Sequence, residues 1–154
     1  MRTIREWGLV VLWMGAIFYG SSRPSLPGSL GRQDAIGDLF RAAVHLAEYA
    51  ILAALTYRAA IAPAVRGDAS LALGNPRAVQ VLDVRLVVAV LALSVGYALS
   101  DELHQSFVPG RCFSLADLGV DAAGVALGLG AVARWRMWSG RSLRHRKGGP
   151  HFRR

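Results

Sequence analysis

The chain has 154 residues, 53% of them hydrophobic, and a formal net charge of +8 from 18 Lys and Arg against 10 Asp and Glu. This length suits one domain, and the apolar content excludes a disordered chain. The cations lie between and after near-continuous apolar runs, eight of them from Arg134 to Arg154. That is the pattern of a membrane protein and not of a nucleic-acid-binding module, so no nucleic-acid partner is expected.

Crossing roughly 30 Å of hydrocarbon takes about 20 mostly apolar helical residues. Four stretches approach this length, residues 4–20, 40–61, 86–105 and 115–135. They predict an all-α integral membrane protein, with a domain of four transmembrane helices over residues 1–135 and a basic tail over 136–154.

The first stretch also fits a cleaved secretory signal, because Arg2 and Arg5 precede a short apolar core and Gly20 and Ser22 are small. Trp7, Trp13, Phe18 and Tyr19 favour a retained span, since such aromatic residues suit membrane interfaces. Residues 21–39 are rich in Ser, Pro and Gly and read as a loop. Residues 62–85, with Gly67-Asp68 and Asn75-Pro76, and the turn 107–113 around Pro109-Gly110 read likewise. The single cysteine, Cys112, excludes an internal disulfide and any multi-cysteine metal cluster.

Orientation follows from the cations. With a cytoplasmic N-terminus, fourteen Lys and Arg fall on the cytoplasmic side and four, Arg23, Arg32, Arg41 and Arg111, on the other. The positive-inside tendency therefore predicts that both termini are cytoplasmic, with the tail touching anionic head groups.

Ionisable groups inside a span cost about 2.5–3.5 kcal/mol each on translocon scales, which makes each one a functional candidate. His45, Glu48 and Tyr49 lie inside the second span, Asp101, Glu102, His104 and Gln105 end the third, and Asp117 and Asp121 begin the fourth. All of these ends face outward in the predicted topology, so three sequence-distant groups converge on one membrane face.

His45, Glu48 and Tyr49 share one helix face by their spacing. Asp117, Asp121, Gly124 and Gly128 share another, and the two glycines of that stripe permit close helix packing. Ser114 and Asp117 also have the spacing of a capping box, with Asp in place of Glu. Arg111 is expected to anchor head groups or to pair with Asp101 or Asp117 across the turn.

Five carboxylates beside one cluster arginine, Arg111, form an unbalanced inventory, which either holds protons or recruits a cation. His45, Glu48, Glu102, His104 and Asp117 make an acceptable ligand set for a divalent metal, although no spacing among them is diagnostic. Such an ion would bridge carboxylates and a lipid phosphate. Ser100 and Ser106 lie in no nucleophile motif, so covalent catalysis has little support.

The stretch from Ser100-Asp101-Glu102-Leu103-His104-Gln105 through Pro109-Gly110-Arg111, then Ser114-Leu115-Ala116-Asp117, Asp121, Gly124 and Gly128, resembles the signature of the VanZ-like family. His45-Leu46-Ala47-Glu48-Tyr49 and Ser21-Ser22-Arg23-Pro24 are similar to its other markers. The resemblance implies a small multi-pass protein of the bacterial cytoplasmic (inner) membrane. The family's namesake is associated with resistance to teicoplanin and related lipoglycopeptides. No reaction or cofactor is established for the family, so the matching residues transfer as site residues without fixed roles. Many members carry Asn where this chain has Asp121, so the resemblance implies no universal ionised role at that position.

Three readings follow. The first is an envelope protein that engages membrane lipid or a lipid-linked peptidoglycan precursor and lowers lipoglycopeptide susceptibility. The second is a metal-dependent intramembrane enzyme acting on an envelope lipid. The third is a structural membrane subunit, with an oligomer as one form that completes a pocket.

Overall fold

The computed structural model describes residues 2–24, 35–67 and 76–147. These residues form four helices, α1 (Arg2–Ser21), α2 (Ala35–Gly67), α3 (Pro76–Gln105) and α4 (Leu115–Lys147). Cross-helix contacts link Met14 to Tyr97 and Ser21 to Asp101, then His45 to Asp121 and Leu46 to Gly124. The helices thus run up-down-up-down, with α1 parallel to α3 and α2 parallel to α4.

α2 and α4 make the most extensive pairing, and α1 packs mainly on α2. The core joins Val10 and Ile17 of α1, Tyr49, Leu52 and Ala53 of α2, Val90 and Ala98 of α3, and Val125 of α4. Gly124 and Gly128 explain the close α2–α4 approach. A Cβ at Gly124 would lie 3.1 Å from Leu46 Cα and one at Gly128 2.9 Å from Ala50 Cα, each overlapping the carbonyl oxygen of the same residue. The small-residue stripe lets two backbones touch where a methyl group would hold them apart.

Among the described residues, three segments are long and apolar enough to cross a membrane: Ile36–Ile61, Val84–Gln105 and Leu115–Arg136. In the 18-residue apolar stretch of each segment only 28%, 28% and 22% is buried within the protein, so most of that apolar surface is left for lipid. The chain is an all-α integral membrane protein. α1 has 20 residues, but Arg5 and Glu6 occupy its second turn and shorten its apolar part. It joins the bundle through Trp13 Nε1, which donates to the Glu48 carbonyl at 2.9 Å, and through the Tyr97 hydroxyl, which donates to the Met14 carbonyl at 2.6 Å.

The helices outrun the apolar stretches that announce them. Residues 35–39, 62–67 and 76–85 are helical where the composition suggested loop, and α4 carries the predicted tail on as helix to Lys147. Hydropathy marks where hydrocarbon ends, whereas a helix continues until a breaker stops it. Here Gly67 ends α2 and Pro76 opens α3, each at the terminus its backbone favours. The loop signals at 25–34 and 68–75 and the end of the tail at 148–154 lie outside the described residues. Between α3 and α4 the chain turns at Pro109-Gly110, where Gly110 adopts a φ of 78° that side chains rarely tolerate.

Candidate functional site

The polar residues of the spans gather at one end of the bundle, where α1 and α3 finish and α2 and α4 begin. They divide into two bonded groups. The first joins α1 to α3. Ser21 Oγ donates to Asp101 Oδ1 at 2.6 Å, and Gln105 Nε2, one helical turn along, donates to Asp101 Oδ2 at 3.0 Å. Arg111, from the turn, donates from Nη1 to Gln105 Oε1 at 2.9 Å and from Nε to the Arg23 carbonyl at 3.1 Å. Asp101 is buried, and a charge-assisted bond holds its first oxygen while an amide holds the second.

The second group joins α2, α3 and α4. His45 Nδ1 and Asp121 Oδ1 are 3.0 Å apart, and Glu102 approaches both, so that one donor atom from each of the three lies within 4.8 Å of the others. Glu102 Oε2 accepts the Ser114 backbone N–H at 2.8 Å, while Ser114 Oγ accepts the Asp117 N–H at 3.1 Å. This is a capping box divided between two helices. The N-cap serine plays its ordinary part, but its own N–H is satisfied by Glu102 of α3 and not by the acidic residue three positions on. Asp117 faces Arg41 instead, with its Oδ2 3.9 Å from Nε.

Between α1, α2 and α3 lies a cleft of about 240 Å³. Ile17, Phe40 and Val44 give it apolar lining, and Ser21, His45, Glu48, Asp101 and Gln105 polar lining. Arg41 and Arg111 add two guanidinium groups to the lining. The cleft is amphipathic and sits at the helix ends.

The expected cluster is brought together in part. His45, Glu102 and Asp121 meet, as do Asp101, Gln105 and Arg111, and Glu48 lines the cleft between them. Arg111 bonds Gln105 and the Arg23 carbonyl, and of its two expected roles, head-group anchor or partner of Asp101 or Asp117, the pairing is not formed. The turn points the guanidinium back at the end of α1, and Arg41 is the cation near Asp117.

Tyr49 shares the face of His45 but lies one turn deeper. It is fully buried against Tyr97, with ring centroids 6.4 Å apart, and does not line the cleft. His104 faces α1, stacked on Phe18 at 4.4 Å with Nε2 3.0 Å from Ser22 Oγ, because at 3.6 residues per turn it lies on the face of Asp101, three residues back, and on the opposite side from Glu102, two residues back. Of the five metal ligands named from sequence, His45 and Glu102 join the compact group, and Asp121 stands where Glu48, His104 and Asp117 were expected. Ser21, Ser22, Arg41 and Ser114 carry contacts that sequence reasoning did not assign as site functions, apart from the cap at Ser114. Their partners lie as far as 82 residues away along the chain.

The profile of the VanZ/LLP1 family matches residues 7–136, which spans α1 through the apolar part of α4. Neither the curated proteins nor the solved structures yield a match.

Proposed function

Since the chain belongs to the VanZ/LLP1 family, we propose that it is a protein of the bacterial inner membrane that takes the head group of a lipid or lipid-linked cell-wall precursor into the cleft at its outer face, and thereby lowers susceptibility to teicoplanin-type lipoglycopeptides. The amphipathic lining carries this reading. Ile17, Phe40 and Val44 offer apolar surface for the start of an acyl or prenyl chain, and the rest of the lining offers hydroxyl, amide, carboxylate and guanidinium groups for a polar head. A water-soluble metabolite would have no use for the apolar residues, nor a hydrocarbon for the polar ones.

Arg41 changes the charge argument. With Arg111 alone, the neighbouring carboxylates make an anionic head group unfavourable. Two guanidinium groups in the lining stand beside Glu48 and Asp101; Arg41 is shared with Asp38 at 3.3 Å and Asp117 at 3.9 Å, and among the described residues Arg111 has its Nη2 amino group left for a phosphate after its bonds to Gln105 and the Arg23 carbonyl. The carboxylates then suit the hydroxyl or amine groups of a sugar or peptide head. The positive-inside count supports an outward cleft with both termini in the cytoplasm.

The test is lipoglycopeptide susceptibility in a sensitive bacterial host expressing wild type or Arg41→Gln/Arg111→Gln, with membrane accumulation matched by immunoblot. Reduced susceptibility with wild type alone is expected. Equal susceptibility of both strains and of the empty host would remove the resistance role.

A further inference from the structure

Behind the cleft, His45, Glu102 and Asp121 come from three different helices and are 8%, 1% and 1% exposed. Pairing between them accounts for His45 Nδ1 with Asp121 Oδ1, and the Ser114 cap accounts for Glu102 Oε2. Glu102 Oε1 has no hydrogen-bond partner among the described residues. A desolvated carboxylate oxygen without a bond is costly, and here it belongs to the residue that closes a three-donor group.

From this geometry we infer that His45, Glu102 and Asp121 bind a divalent metal ion of the Zn(II) or Mn(II) kind. The donor set is one imidazole nitrogen and two carboxylates, which suits borderline ions and not the soft thiolate-seeking ones or Ca(II), which takes more oxygens. The charges also close, because two carboxylates and a neutral imidazole balance one divalent cation inside a low-dielectric bundle.

Donors about 2.0–2.2 Å from one ion are separated by no more than about 4.4 Å. The observed limit of 4.8 Å therefore needs a small contraction, and the unheld Oε1 of Glu102 is free to supply it. The 3.0 Å between His45 Nδ1 and Asp121 Oδ1 already suits neighbouring ligands. Three protein donors leave a coordination position open, as in sites that act on a ligand. His45 also lines the cleft, so that position borders the proposed head-group site. The metal site stands whether or not a lipid enters the cleft, since the donors and their burial do not depend on one.

The experiment uses the full-length protein in detergent, stripped with a chelator, loaded with Zn(II) alone, desalted and assayed for metal. Wild type and Glu6→Gln, whose site pairs with Arg58 at the opposite end of the bundle, should each retain one equivalent. Glu102→Gln and Asp121→Asn should bind at least about tenfold more weakly, the lower end of what even an outer-shell loss costs. Zn(II) retained equally by all four proteins, or by none, overturns the inference.

Should the site variants fail to fold, a background with His104, His145 and His151 changed to Gln leaves His45 as the sole histidine. Pulsed EPR of that protein loaded with Mn(II) should then show imidazole nitrogen coupling, and its absence overturns the site. Because the readout is metal content, it is separable from the susceptibility assay. Metal binding without resistance rejects only the proposed function, and resistance without metal rejects only this site.

Discussion

Gly128→Ala tests the packing that brings the two polar groups into register. The new methyl carbon would lie 2.9 Å from Ala50 Cα and closer still to the Ala50 carbonyl oxygen. Carbon atoms pack at about 3.5–4.0 Å, so α2 and α4 must separate by roughly 0.6 Å or more. Neither obstacle is a side chain that could rotate away, because both are backbone atoms of a continuous helix. Overpacking of this kind costs about 1–3 kcal/mol, and the entropic gain of replacing a helical glycine returns about 0.5–1 kcal/mol. The two ranges bracket a net loss of about 0–2.5 kcal/mol; because both obstacles are backbone the upper part applies, about 1–2 kcal/mol, which is about five- to thirtyfold in the folding equilibrium.

The assay is thermal unfolding in a fixed detergent, read as the fraction remaining monodisperse on size-exclusion chromatography. Gly130→Ala serves as the internal control, because it lies in the same helix and its methyl group would meet nothing within 4 Å. Gly130→Ala should be neutral or slightly stabilising. Equal stability of the Gly128→Ala and Gly130→Ala proteins would refute the close backbone contact.

Four further predictions concern the site itself. Ser21→Ala should destabilise the protein by about 1.5–3 kcal/mol, since it removes a buried donor bonded to a carboxylate at 2.6 Å, and thermal unfolding measures this directly. Ser114→Ala removes the N-cap of α4 and should cost about 0.5–2 kcal/mol by the same measurement. Arg111→Ala should raise amide hydrogen exchange through the turn at residues 106–114, because it cuts the turn's bonds to Gln105 and to the Arg23 carbonyl; unchanged exchange there would show that the turn holds itself. Cys112 is exposed and is the chain's one cysteine, so a membrane-impermeant thiol reagent should label it in cells with an intact inner membrane if the turn faces outward. Labelling only after permeabilisation would reverse the topology.

The number of helices, the turn between α3 and α4 and the end of the bundle where polar groups collect can all be read from the sequence, because each depends on local composition or spacing. Pro109-Gly110 marks a turn, and Gly110 indeed takes the left-handed conformation that the residue type permits. The partners are a different matter. Asp101, Glu102 and His104 are close neighbours in the sequence, yet α3 directs the first to Ser21, the second to Ser114, His45 and Asp121, and the third to Phe18 and Ser22.

Which neighbour each one meets depends on how α1 and α4 pack around α3, and no local pattern encodes that. Arg41 enters the sequence reading as an outward cation and not as a member of the site, although it stands four residues before His45 and shares its helix face; its partner Asp117 lies on another helix, to which no local spacing links it. Ser114 was recognised as a cap, but its second partner comes from α3, across the turn, which a rule written for one helix does not find.

The central claim is that the cleft between α1, α2 and α3 holds the head group of an envelope lipid. The most direct measurement is binding of a fluorescent lipid-linked cell-wall precursor to the purified full-length protein in nanodiscs, comparing wild type with Arg41→Gln/Arg111→Gln and competing with unlabelled precursor and with bulk phospholipid. Saturable binding to wild type, displaced by unlabelled precursor and weakened at least about tenfold in the double variant, is the predicted result, since a charged hydrogen bond contributes about 1.5–3 kcal/mol. Binding that is absent, or equal in the two proteins, would contradict the assignment of the cleft.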